Sequence, residues 1–151
     1  MMETSRRDLI VAGTALTALI ATGSSAQPVA TKAGTMQVIH VYADANGVSH
    51  VKRVAVAGLP KPPPVTGVSA SFVAKGVEDW HPVPSKLFTI NTSGDIEGEM
   101  GDGTNIAIGK GDLVYLEDMA GKGHITRLLS DVSNLFLQVG PDFNFEAWAK
   151  A

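Results

Sequence analysis

GDIEGEMGDGTNIAIGKGDLVYLED, residues 94 to 118, decides the fold class. Ile96, Gly98 and Met100 fall on one side of an extended chain and Glu97 and Glu99 on the other, the period of a strand with one wet face. GDG at 101–103 turns the chain, NIAI follows as a short strand, GKGD turns it again, and LVYLE reads as a third strand. Short strands separated by Gly, Asp and Asn turns predict an all-β sandwich or barrel.

The same rhythm extends both ways from this stretch. MQVIHVYA and SHVKRVAV flank Asn46-Gly47, a pair that suits the tight turn of a hairpin. GLPKPPPVTG, 58–67, is a loop, because Pro60, Pro62, Pro63 and Pro64 lack backbone donors; it is expected to lie over one mouth of the fold. VSASFVAKG and KLFTINTSG read as strands, with VEDWHPVPS, 77–85, as an irregular connection between them. HITRLLS and NLFLQVG complete the strand series, and Phe143, Phe145 and Trp148 in FNFEAWAK are spaced to cover a sheet face or edge.

With 151 residues the chain is long enough for one domain with a sizeable core. SRRDLI at 5–10, the apolar run LIVAGTALTALIAT and SSA at 24–26 form the basic, apolar and small-residue pattern of an export signal. The adjacent Arg6 and Arg7 resemble the twin-arginine type, so residues 1–26 are expected to be removed on the way to a periplasmic or secreted location. The apolar run is shorter than the roughly 20 residues a membrane span needs, so no stable span is expected after cleavage. Residues 27–35 read as a flexible lead-in and 36–151 as the folded domain. The signal holds two residues of each charge sign, so the net charge of −3 survives its removal. Mild acidity without a basic cluster argues against nucleic acid as a partner. Cysteine is absent, which excludes disulfides and thiol chemistry.

Ser49-His50, DWHPVP at 79–84, TSGDIEGEMGDG at 92–103 and GKGDLVYLEDMAGKGHITR at 109–127 together resemble the cupin superfamily, in particular its small single-domain bacterial members. The resemblance implies a jelly-roll β-barrel of two antiparallel sheets with motif histidines facing an internal pocket. The first motif histidine falls on His81, but its usual partner one residue on is Val83, and Leu87 stands where a carboxylate or amide is expected. His124 matches the second-motif histidine, at a longer spacing from Gly111 than usual. One divalent transition metal (iron, zinc, manganese, copper or nickel) would therefore need Glu117 beside His81 and His124.

Without a metal, Glu117 and His124 could act as an acid/base pair, with Tyr115 on the same strand face as Glu117 supplying a donor. His50, His81, Leu87 and Tyr115 are the candidate ligand-binding residues, with Phe88 or Phe136 as further lining. Asp118 either turns away from the pocket or ties down the AGKG turn, and Lys122 is either a solvated tip or a partner for Glu117 or Asp118. His40, opposite in face to Ile39 and Val41, is assigned no function, and Glu97 and Glu99 read as solvated. The expected function is small-molecule binding, with metal-assisted or acid/base turnover of an organic substrate. The alternative is a non-catalytic, metal-free binding module, and a homodimer through a sheet edge or face is the expected assembly.

Overall fold

The computed structural model describes residues 34–57 and 61–151. The expected signal at 1–26 and nearly all of the lead-in at 27–35 lie outside the described residues. Among the described residues ten strands precede one short helix: β1 Thr35–Ala43, β2 Ser49–Ala57, β3 Val65–Val73, β4 Gly76–His81, β5 Leu87–Ser93, β6 Ile96–Glu99, β7 Asn105–Ile108, β8 Leu113–Glu117, β9 His124–Leu128, β10 Val132–Val139 and α1 Phe145–Ala149. The strands form a six-stranded sheet in the order β2-β1-β8-β5-β10-β3 and a four-stranded sheet in the order β4-β9-β6-β7.

The pairings β3 with β10, β4 with β9, β5 with β8 and β6 with β7 are nested inside one another, like the rungs of a single long hairpin. Two further pairings, β5 with β10 and β6 with β9, roll that hairpin into two facing sheets. This is a jelly roll. The β1–β2 hairpin extends it, docking β1 on β8.

Two expectations need correction. The β1–β8 pair is parallel, so the larger sheet is mixed rather than antiparallel; the two strands are joined through most of the barrel and not by a turn. VEDWH is a strand, β4, and not an irregular connection. As an edge of the smaller sheet it is largely exposed, so its side chains carry little apolar alternation to read.

Alternation along the larger sheet builds two separate cores. Ile39, Val41 and Val114 turn inward, where they meet Met100 between the sheets. Val38, Phe88 and Tyr115 turn outward and are covered by Phe143, Phe145 and Trp148 of the C-terminal segment. Asn144 caps α1 by accepting the Ala147 N–H at 2.9 Å, and the Phe145 ring stacks on Tyr115 at 4.7 Å. The Trp148 indole N–H donates to the Lys61 carbonyl at 2.7 Å, so the described part of the proline loop lies against the helix. Glu97 and Glu99 pair with Arg127 across the outer face of the smaller sheet. The edge strand β3 leaves Val68 and Phe72 exposed. Among the described residues no helix is long and apolar enough to cross a membrane.

Candidate ligand pocket

The pairing of β4 with β9 sets His81 directly opposite His124, with ring centroids 4.7 Å apart. His81 donates from Nδ1 to the Asp79 carbonyl at 2.7 Å. His124 donates from Nδ1 to Asp118 Oδ2 at 2.6 Å. With Nδ1 committed on both rings, Nε2 is the nitrogen left to meet a ligand, and neither Nε2 has a hydrogen-bond partner among the described residues. Asp118 is 0% exposed, and His124 provides its only side-chain hydrogen bond among those residues.

The stretch EDMAGKGH is the device that holds this pair. Gly123 has φ 73°, and a Cβ there would overlap the His81 carbonyl and the Pro82 nitrogen, so only glycine lets the turn lie against the end of β4. Gly121 packs the same way against Gly47. The Ser49 hydroxyl donates to the Gly123 carbonyl and accepts the Gly101 N–H, both at 2.6 Å, which joins three turns at one buried oxygen. Lys122 lies 3.5 Å above the Trp80 ring, a cation–π contact worth about 0.5–1 kcal/mol at an exposed position.

Between the sheets is a cavity of about 440 Å³ with His81 and His124 in its lining. Val41, Leu87, Met100, Ile106, Val114 and Leu116 supply much of its wall. Among the described residues, Glu78 is the one carboxylate in the lining, and neither lysine nor arginine contributes to it. A concave, mostly apolar space with a few convergent polar groups is the general form of a small-molecule site.

The structure brings together some of the residues singled out in the sequence and separates others. Leu87 and Phe136 line the cavity. Glu117 does not. Val114 and Leu116 face inward, so Leu113, Tyr115 and Glu117 face the other way, as strand alternation requires. Glu117 accepts a hydrogen bond from His40 Nε2 at 2.7 Å and one from the Tyr115 hydroxyl at 3.2 Å, and Lys86 lies 3.9 Å away. The His40 hydrogen bond holds its carboxyl below the usual glutamate range, and burial pushes the Tyr115 phenol up. Both belong to the outer face, where a second, more open recess of about 720 Å³ lies beside α1. Phe88 is in the outer core too.

His50 also lies outside the cavity lining. Nε2 meets Asp44 at 3.1 Å and Nδ1 meets Asp102 at 2.7 Å, and these hydrogen bonds raise its pKa above the ordinary histidine value. The proposed set of His81, Glu117 and His124 is therefore not assembled, and the described residues contain no cluster of three or more such ligands. Two imidazole nitrogens fall short of the three protein ligands of a catalytic zinc site.

Sequence reasoning missed Asp118 as the partner of His124, together with the inward polar residues Ser71, Thr89, Asn91 and Asn134. Parity was the available signal: with Val114 and Leu116 taken as the inward pair, Asp118 follows on their side and Glu117 does not.

No protein-family model matches the chain, and no curated protein matches it either. Solved structures with some likeness include protein NMB1881 from Neisseria meningitidis, at TM-score 0.41 and 19% identity over 54% of this chain and 84% of that one. Another is a protein assigned as ethanolamine utilization protein Q from Salmonella typhimurium LT2, at TM-score 0.40 and 10% identity over 72% of this chain and 99% of that one. Such scores are too low to add to the strand order, and it is the nested pairing that establishes the jelly roll.

Proposed function

We propose that the chain binds a small, largely apolar organic molecule between its sheets, with Nε2 of His81 and His124 as the polar contacts. The observation that carries this reading is the cavity of about 440 Å³ with two facing imidazoles in its wall. The His124–Asp118 arrangement has the parts of an acid/base catalyst, a ring nitrogen free toward ligand and a carboxylate orienting the other nitrogen. Turnover of the bound molecule by proton transfer is thus the enzymatic form of the proposal, and binding alone is its minimal form. In keeping with the signal at 1–26, the working protein is proposed to be residues 27–151 after export.

The test is thermal denaturation with a neutral aromatic hydrocarbon, phenylbutane, beside a cavity-filling variant, Leu116→Phe. A ligand that binds only the folded state at a hundred times its Kd adds about 2.7 kcal/mol. A rise of several degrees in Tm for the native sequence, absent in the variant, is expected. Equal melting curves with and without phenylbutane would end the reading.

A further inference from the structure

Three strands of the larger sheet bring a polar row into the cavity away from the histidines. Asn134 on β10 is in register with Ser71 on β3 and with Asn91 on β5, and Thr89 lies two residues before Asn91 on β5. Ser71, Thr89, Asn91 and Asn134 all line the cavity. Leu87, which begins β5 after the short connection from His81, marks the histidine end. Asn91 lies four residues further on, about 13 Å along the strand. Beyond the row, Val73 and Val132 pack with Ile96 and Leu128 and close that end.

Three oxygens in this region are buried without a hydrogen-bond partner among the described residues: Ser71 Oγ, Thr89 Oγ1 and Asn91 Oδ1. Asn91 is 1% exposed, and its amide nitrogen donates to the Gly94 carbonyl at 2.8 Å. A carbonyl can only accept, so the side-chain oxygen is the atom left over. Leaving a buried acceptor unsatisfied is costly, and such groups in native proteins ordinarily have a partner. Among the described residues, no other buried stretch gathers three unpartnered oxygens along one cavity wall.

We infer that this row is a second polar subsite, built for the neutral hydrogen-bond donor of an apolar ligand, most simply an alcohol. The inference rests on the binding reading above and adds the ligand's head-group chemistry to it. A hydroxyl donates to Asn91 Oδ1 and accepts from Thr89 or Ser71 in the same step. A carboxylate has no proton to give Asn91, and no lysine or arginine in the lining offsets its charge. An ammonium can donate, but the row offers it no carboxylate, and Glu78 lies on β4 across the barrel.

The experiment uses four probes that share one apolar body: phenylbutane, phenylbutanol, phenylbutyrate and phenylbutylamine. Affinities are measured by calorimetry for the native sequence and for Thr89→Val and Ser71→Ala, changes that remove a hydroxyl at little or no cost in shape. Phenylbutanol is expected to bind about tenfold more tightly than phenylbutane, and to lose most of that margin in either variant while phenylbutane binding stays unchanged. Tighter binding of the acid or the amine than the alcohol, or an alcohol margin that both variants keep, would overturn the subsite. If phenylbutane and phenylbutanol bind equally, the subsite fails but the cavity stands as a binding site. If no probe binds, the binding reading fails, and this inference with it.

Discussion

The two sides of the larger sheet each meet a histidine hydrogen-bonded to a carboxylate, His40 on the sheet itself and His124 on β9 of the smaller sheet opposite, yet they are different kinds of place. On the outer face His40 and Glu117 are joined by Tyr115 and roofed by Phe145, whose ring centroid lies 4.5 Å from that of His40. Between the sheets His124 and Asp118 stand beside a cavity; in both histidines the second ring nitrogen lacks a partner among the described residues, but that of His40 is buried. The same pair of side-chain types is packed among aromatic rings at the edge of an open recess in one place and set beside a largely apolar cavity in the other. Residue type alone does not separate the two; what lies on the far side of the imidazole does.

The strongest way to break this comparison is to open the outer face. Phe88 is 1% exposed and packs edge-on to Phe143 and Trp148, so Phe88→Ala is expected to cost about 3–5 kcal/mol in chemical denaturation. The variant should still bind phenylbutane at a temperature where it remains folded. Loss of binding in the folded variant would mean that the two faces are not independent.

A crossed pair of substitutions sharpens it. Glu117→Ala leaves the buried His40 without its acceptor and is expected to cost about 1–3 kcal/mol with no change in probe affinity. His81→Ala removes a half-buried ring bonded only to the carbonyl of Asp79 within its own strand, so stability should hold while probe affinity changes. The reverse pattern would place the ligand on the outer face. The native pair has a pH signature as well: the Glu117 carboxyl is depressed in the folded state, so its contribution is present above the ordinary glutamate value and disappears as pH falls through the folded one.

The smallest expected effect concerns His50, a third histidine, held between two carboxylates at the start of the edge strand β2. Its folded pKa is raised by Asp44 and Asp102, so its contribution is complete below about pH 6.5 and is lost as pH rises through the folded value. Denaturation midpoints on either side of that window should differ more in the native sequence than in His50→Gln. An equal pH response would show that the clamp contributes nothing.

Much of this was legible in the sequence, for identifiable reasons. β6 and β7, from Ile96 to Ile108, alternate cleanly because one side is wet and the other packed, and Asn46-Gly47 announces the first hairpin, with Gly47 at φ 75°. The His81–His124 pair was reachable from the cupin-like spacing. The face of Glu117 was not, because alternation says which residues share a side and leaves open which side is inward. Asp118 was discounted for the same reason. The parallel β1–β8 pairing joins residues far apart in the chain, and no local pattern encodes it. Ser71, Thr89 and Asn91 carried no signal of their own, since a single polar residue on a strand reads the same whether it meets water or a cavity.

The nested pairing also orders how the molecule can be assembled. The β6–β7 pair closes a loop of a few residues, whereas the β3–β10 pair must bring together segments separated by about 60, which costs roughly 2 kcal/mol more in chain entropy. A protein dominated by such non-local pairings folds slowly, and the outermost pair is the one expected to close late. Until it does, β3 is without its neighbour, and this strand carries no charge or proline between Val65 and Val73 and displays Phe72 at 73% exposure. The last strand to be sheltered is thus the one best suited to join another chain, so nascent protein that stalls before β10 docks is exposed to aggregation along that edge.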